Sequence, residues 1–293
     1  MQKDISQKRL ESYNDVFADI VNVLLFNGRQ VVTEDSLIEA ESSSSYKDLD
    51  DFSQKLHSQD RDVVKFWHNG EIRLSLFGLE NQTKREKTMP LRIINYDASA
   101  YRSQLLKSKK RSKNQKFYPV VTLVLYFGTK SKWSKNLSLK EVVEIPSELQ
   151  NFVNDYKINV FNLAWLSEEQ IALFKSDFRE VVDYLRCERL DIPFKGSKRK
   201  LDHVFEMLDL FSALTNNDIY KIAKSDIINI QSEQGGLNMM SLAEKMMRER
   251  ENSAIDKIVA LFTKFRADGK DEEIDKALKD REYLKKLMDE YQK

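Results

Sequence analysis

Apolar side chains recur at positions 16, 17, 20, 21, 24 and 25 of the segment Asp15 to Phe26, the spacing of one buried helical face, and Asn27-Gly28 supplies a natural stop. The stretch from Thr33 to Asp60 is polar and serine-rich and reads as a long surface connection, with one short strand expected at Gln30 to Val32. The period then changes. Asp62 to Trp67 and Glu71 to Gln82 are β-prone runs on either side of Asn69-Gly70, which predicts a β-hairpin. Met89 to Leu106 returns to helical spacing, with Leu91, Ile94, Ala98, Tyr101 and Leu105 on one face and Pro90 near the start. Tyr118 to Phe127 is almost wholly apolar, as suits a strand covered on both faces.

Past Gly128 an extended stretch is expected at Ile158 to Leu166, followed by a helix opened by Ser167-Glu-Glu-Gln170, which has capping-box spacing. Ile171, Phe174, Phe178, Val181, Val182 and Leu185 form one helical stripe, Leu201 to Leu214 a second, and Leu242 to Phe265 a third ended by Gly269. Asp271 to Tyr291 is a charged helical appendage, and no fixed-period repeat is visible. The pattern predicts an α/β N-terminal domain over about residues 1–150, with a mixed central sheet flanked by helices. Residues 151–293 should be mainly helical.

Composition narrows the setting. No apolar run approaches the roughly 20 residues that span a bilayer, and MQKDISQKRLESYND is too polar for a signal peptide, so a cytoplasmic protein with no membrane partner is expected. Cys187 is the only cysteine, which excludes an intrachain disulfide and a cysteine-based zinc site and reads as a buried helical thiol. The three histidines lack metal-ligand spacing. A formal net charge of +1 hides strong segregation: residues 33–60 hold eight acidic side chains against Lys47 and Lys55, whereas residues 84–116 hold eleven Lys or Arg against Glu86 and Asp97.

Chemistry concentrates at the hairpin. Glu80 and Gln82 stand two apart near the end of a strand and therefore share a face. With a second carboxylate, Glu80 would offer Mg²⁺ or Mn²⁺ the oxygen ligands such hard ions take, and Asp62 on the partner strand is the candidate. Register decides whether it can serve. A two-residue Asn69-Gly70 turn sets residue 62 opposite 77, on the wrong face, whereas a three-residue turn including Glu71 sets it opposite 78; a bulge at Gly78 would act similarly.

The ordered segments FADIVNVLLF, RDVVKFW, LFGLENQT, MPLRIINYDASAY and YPVVTLVLYFG resemble the Rpn family of recombination-promoting nucleases, also labelled putative transposases, within the PD-(D/E)XK superfamily. The match falls on Asp62, Glu80-Asn81-Gln82, Met89 to Arg92 and Tyr126 to Gly128, and covers about residues 13–133. The resemblance implies a restriction-endonuclease-like fold and a Mg²⁺-dependent DNA endonuclease, associated with recombination or mobile elements. Asp62 and Glu80 would hold the metal, and Gln82 would take the place of the usual lysine. An amide cannot act as a base at neutral pH, so Gln82 is left to orient water by hydrogen bonding. Asp19 on the first helix is the candidate for the additional acid that many superfamily members carry there.

DNA is the expected partner. Lys84, Arg85 and Arg92 lie nearest the site, and Lys109, Lys110, Arg111 and Lys113 belong to a ten-residue run at 107–116 with six cations and no acid, suited to sequence-indifferent phosphate contact. A solvated charged loop is the plain alternative for that run. Two other functions compete: a DNA-binding protein without useful turnover on the same scaffold, and a protein-interaction module worked by the C-terminal helices, which are also the candidate surface for self-association.

Overall fold

The computed structural model describes residues 2–40, 43–47, 56–60, 62–69, 72–108, 117–215 and 238–241, with 244, 258–280, 282–284 and 287–288. Its contacts divide the chain into two compact units, Met1–Phe194 with Lys200–Gly236, and Lys195–Arg199 with Leu237–Lys293. In the first unit, helices α1 (Gln2–Glu11) and α2 (Asn14–Phe26) precede a sheet built from β1 (Leu37–Glu39), β4 (Val63–Asn69), β5 (Ile72–Gln82), β6 (Val120–Tyr126) and β7 (Asn159–Asn162). Strands β2 (Ser43–Lys47) and β3 (Leu56–Asp60) form a separate antiparallel pair. Helix α3 (Met89–Ser108) links β5 to β6, and α4 (Glu168–Ala172), α5 (Phe178–Leu190) and α6 (Val204–Thr215) follow the sheet.

The sheet order is β1-β4-β5-β6-β7. β1, β4 and β5 pair antiparallel, whereas β5–β6 and β6–β7 are parallel, so the architecture is mixed α/β with flanking helices. Strand alternation sorts the side chains between two covered faces. One face carries Val64, Leu76, Val120, Val124 and Tyr126; the last two pack with Met89, Ile93 and Tyr96 of α3. The other face carries Lys65, whose side chain is buried against the α1–α2 junction. Its ammonium donates to the Ser12 carbonyl and to Asn14 Oδ1, both at 2.6 Å, and lies 5.7 Å from the Phe17 ring centroid. Gly128 has a steric reason to be glycine: a Cβ there would overlap the ring of Tyr126, which folds back against it.

Several elements depart from the sequence pattern. No strand forms at Gln30 to Val32, because the Asn22 side chain takes the backbone groups a neighbouring strand would have used. Its Oδ1 accepts from the Val31 and Val32 N–H groups at 3.0 and 2.9 Å, and its Nδ2 donates to the Val32 carbonyl at 2.7 Å. The connection after Thr33 is no plain loop; it contributes β1 and the β2–β3 pair. On α3 the stripe of Leu91, Ala98, Tyr101 and Leu105 is the exposed side, and the buried side runs through Met89, Ile93, Tyr96, Asp97 and Gln104. Polar partners make that side burial-competent: Gln104 exchanges two hydrogen bonds with the Tyr118 backbone, and Asp97 accepts from the hydroxyls of Thr122 and Tyr156.

The capping box at Ser167 and Gln170 forms, yet the helix it opens stops after Ala172 and α5 starts at Phe178. Asp19 explains the break. Its Oδ2 accepts from the N–H groups of Lys175 and Ser176 and from the Ser176 hydroxyl at 2.7–2.8 Å, drawing the intervening backbone out of helical pairing. The six apolar residues of the stripe remain buried across α4, α5 and the segment between them. In the second unit residues 258–267 are helical, Gly269 adopts φ 70°, and the helix Asp271–Lys279 buries Ile274 and Ala277; most of the stripe predicted from Leu242 lies outside the described residues.

Candidate functional site

The hairpin brings Asp62 level with Glu80. Val63 pairs with Leu79, so the next position outward on β4 faces Glu80 rather than residue 78. Two one-residue shifts act together. Asn69 pairs with Ile72, which moves the turn to residues 70–71, and the register slips by one more between Trp67 and His68. An even total shift preserves parity, and residues opposite one another in an antiparallel pair project from the same face. Glu80 and Gln82 therefore share the face covered by α3, and Asp62, the residue before β4, meets the same strand end through the Asn81 N–H.

Glu80 is 2% exposed. Its Oε1 accepts from Arg92 Nη2 at 2.5 Å and from Gln82 Nε2 at 3.2 Å, while Oε2 is buried with no hydrogen-bond partner among the described residues. Burial, reinforced by the neighbouring Asp62 charge, pushes its pKa up to about 7 against the opposing pull of Arg92 and Gln82. Arg92 is itself pinned. Its Nη1 donates to Glu86 at 2.6 Å, and its Nη2 donates to Tyr96 at 3.1 Å as well as to Glu80.

Asp62 is held from two sides. Its Oδ2 accepts from the Asn81 N–H at 2.6 Å, and Lys8 Nζ lies 2.7 Å from Oδ1. The Asn81 side chain leaves the opposite sheet face from Glu80 and donates to Glu11 Oε2 at 2.7 Å. Glu11 is fully buried on α1. Burial raises its pKa well above the ordinary carboxyl value, and the Asp62 charge adds to that rise. Glu11 Oε1, Asn81 Oδ1 and both amide atoms of Gln7, one helical turn earlier, are likewise buried without hydrogen-bond partners among the described residues. Such a concentration of unsatisfied polar atoms at one strand end is costly unless something binds there.

Among the described residues no three His, Cys, Asp or Glu side chains are grouped to hold a metal ion. What the strand end offers an ion is a carboxylate pair, Asp62 and Glu80, with the unpartnered Glu80 Oε2 as a ready oxygen donor. That donor set suits Mg²⁺ or Mn²⁺, which take few carboxylates and keep several waters.

The remaining candidates are dispersed. Asp19 is engaged with Lys175 and Ser176, and Glu11 is the helix-borne acid that couples to Asp62. Lys84 and Arg85 are exposed on the segment between β5 and α3, whereas Arg92 is committed to carboxylates. Lys109, Lys110, Arg111 and Lys113 lie outside the described residues. Sequence reasoning missed Lys8 and Glu11; their i,i+3 spacing puts both on one helical face, but that face has no apolar stripe to draw attention to it. No described helix is long and apolar enough to cross a membrane.

Residues 31–186 match the family model described as "Putative transposase, YhgA-like". Comparison with curated proteins and with solved structures finds no match.

Proposed function

The chain belongs to the YhgA-like family of transposase relatives, a mobile-element-associated group, and from that premise we propose that it is a Mg²⁺-dependent DNA endonuclease working at the Asp62–Glu80 strand end. The observation behind this reading is the buried Glu80 carboxylate, whose Oε2 has no protein partner among the described residues and which lies close enough to Asp62 to feel its charge. A buried acid that is neither fully paired nor fully hydrogen-bonded is expensive for the fold, and an ion on Oε2 would offset that cost.

Asp62 and Glu80 would hold the ion, which when bound supplies a low-pKa water and offsets charge on the phosphate. Gln82, which donates to Glu80, would orient water without exchanging a proton. Glu11 lies behind the pair, bonded to the Asn81 side chain and coupled to Asp62. Lys84 and Arg85, exposed just past β5, are suited to the DNA backbone.

Nicking of supercoiled plasmid by purified protein in Mg²⁺, Mn²⁺ and EDTA tests the reading. Wild type should nick in either metal and stop in EDTA, with Asp62→Ala and Glu80→Ala inactive. Gln82→Ala should be slower by about thirty- to a thousand-fold, the effect of losing one positioned hydrogen bond of about 2–4 kcal/mol in the transition state. Glu80→Ala nicking as fast as wild type would place the activity elsewhere.

A second reading has its own observation. Asp62 and Glu80 are already paired with Lys8 and Arg92, which suits a DNA-binding scaffold that no longer turns over. Metal-independent, salt-sensitive DNA retention with no nicking would favour it.

A further inference from the structure

We propose that the segment after β6, Gly128 to Leu137, grips the phosphodiester backbone of duplex DNA through Lys130, Lys132 and Lys135, so that the bound strand lies across the carboxyl ends of β5 and β6 beside Glu80. This rests on the reading of the Asp62–Glu80 pair as a DNA-cleavage site.

Topology puts the three lysines there. β5 and β6 run parallel with Gln82 level with Tyr126, so the segments that follow them leave the sheet at one edge, the edge where open α/β sheets bind their ligands. The segment after β5 exposes Lys84 and Arg85, and the one after β6 exposes Lys130, Lys132 and Lys135. Direct contacts tie the second segment to the Glu80 strand. The Phe127 N–H donates to the Gln82 carbonyl at 2.8 Å, and the Trp133 ring stands edge-on to Tyr126 with centroids 5.5 Å apart. From Ala98 to Lys140 the sequence holds no Asp or Glu, so this part of the edge carries cations without acids of its own to neutralise them.

The backbone that carries these lysines is already fixed. Trp133 is buried, and the Asn162 side chain of β7 holds its main chain from both sides: Oδ1 accepts from the Trp133 N–H at 2.6 Å and Nδ2 donates to its carbonyl at 3.1 Å. The indole N–H donates to the Lys135 carbonyl at 3.0 Å, and Asn136 turns the chain with φ 58°. A segment ordered in advance has little backbone entropy left to lose when DNA arrives. The ammonium groups act as point charges on non-bridging phosphate oxygens, displacing condensed counterions and positioning the duplex without reading its sequence. Contacts of this kind hold substrate and transition state alike, so they set how tightly DNA is held and not how fast bound DNA is cut.

The experiment compares wild type, the loop variant Lys130→Gln/Lys132→Gln/Lys135→Gln, and a charge-matched control, Lys270→Gln/Lys276→Gln/Lys279→Gln, whose three lysines are exposed in the second unit. Binding of a fluorescein-labelled DNA duplex is followed by anisotropy in EDTA over a series of KCl concentrations, and Mg²⁺-dependent nicking is followed over a series of plasmid concentrations. The loop variant should bind ~10–10²-fold more weakly at low salt, and its plot of log Kd against log salt should be shallower by about one for each lysine removed. Its nicking should show a raised KM with kcat close to wild type, and the control should match wild type in both assays. The proposal is overturned if the loop variant keeps the wild-type affinity and salt slope, if the control loses as much as the loop variant, or if kcat falls with binding unchanged. Failure of the underlying reading looks different: a wild type that binds duplex but never nicks ends the cleavage reading and leaves the salt slopes to decide the loop, whereas a wild type that does not bind DNA ends both.

Discussion

Asp97 and Glu80 are both acids almost wholly withdrawn from solvent, 4% and 2% exposed, and they meet burial in opposite ways. Each Asp97 oxygen has a hydroxyl of its own: Thr122 donates to Oδ1 at 2.7 Å and Tyr156 donates to Oδ2. Glu80 crowds Arg92 and Gln82 onto one oxygen and leaves the other without a partner among the described residues, near a second carboxylate. The first arrangement is finished by the protein itself and ties α3 to the sheet. The second leaves an oxygen with no partner among the described residues, and it is there that our proposal puts a metal ion.

Cleavage should split the pair most widely. Glu80→Ala is expected to lower Mg²⁺-dependent nicking by roughly three orders of magnitude or more, because it removes a metal ligand, whereas Asp97→Asn should stay within several-fold of wild type. Equal losses in the two variants would erase the distinction. Stability should separate them in the reverse direction. Asp97→Ala leaves the buried Thr122 hydroxyl without this acceptor and removes that of the half-buried Tyr156 hydroxyl, costing about 1–3 kcal/mol at Thr122, measurable by urea unfolding.

Metal should sharpen the contrast further. At a hundred-fold excess over its Kd, Mn²⁺ should stabilise wild type and Asp97→Asn by about 2.7 kcal/mol and leave Glu80→Ala unmoved, as a thermal-shift titration would show. The smallest effect belongs to Glu11. Burial raises its pKa in the folded state, so between the ordinary value of 4.5 and that raised value the fold holds a proton the unfolded chain has lost. Wild type in EDTA should therefore lose stability as pH rises through that window. Glu11→Gln keeps an acceptor for Asn81 but has no charge to bury; its slope should be shallower than that of wild type, with Glu80 supplying what remains, and it should unfold no earlier than wild type near neutral pH. An unchanged pH profile would mean that Glu11 is not strained by burial.

Elements whose buried faces are mainly apolar were legible in the sequence: α2, the hairpin, β6 and the stripe that became α4 and α5. Helix α3 was legible as a helix but with the wrong side inward, and α1 was not legible. Hydrophobic periodicity assigned α3 its exposed side, because the inner side carries Asp97 and Gln104, whose burial depends on partners distant in sequence. α1 buries Ser6, Gln7 and Glu11 alongside Leu10, and so showed no stripe at all. The same property hid Lys8 and Glu11 from the candidate site. Asp62, Glu80 and Gln82 could be named from strand parity and family resemblance, but the register joining them depended on a slip at Trp67 that no local residue type signals.

If a divalent ion belongs at the end of the β4–β5 hairpin, affinity cleavage should find it there. Fe²⁺ is substituted for Mg²⁺, ascorbate and peroxide are added, and backbone cuts made by radicals generated at the bound ion are mapped by mass spectrometry. Cuts should cluster near residues 61–63 and 79–82, weaken as Mg²⁺ competes, and vanish in Glu80→Ala. Cuts elsewhere in the chain, or a pattern indifferent to both Mg²⁺ and Glu80, would contradict a metal site at this strand end.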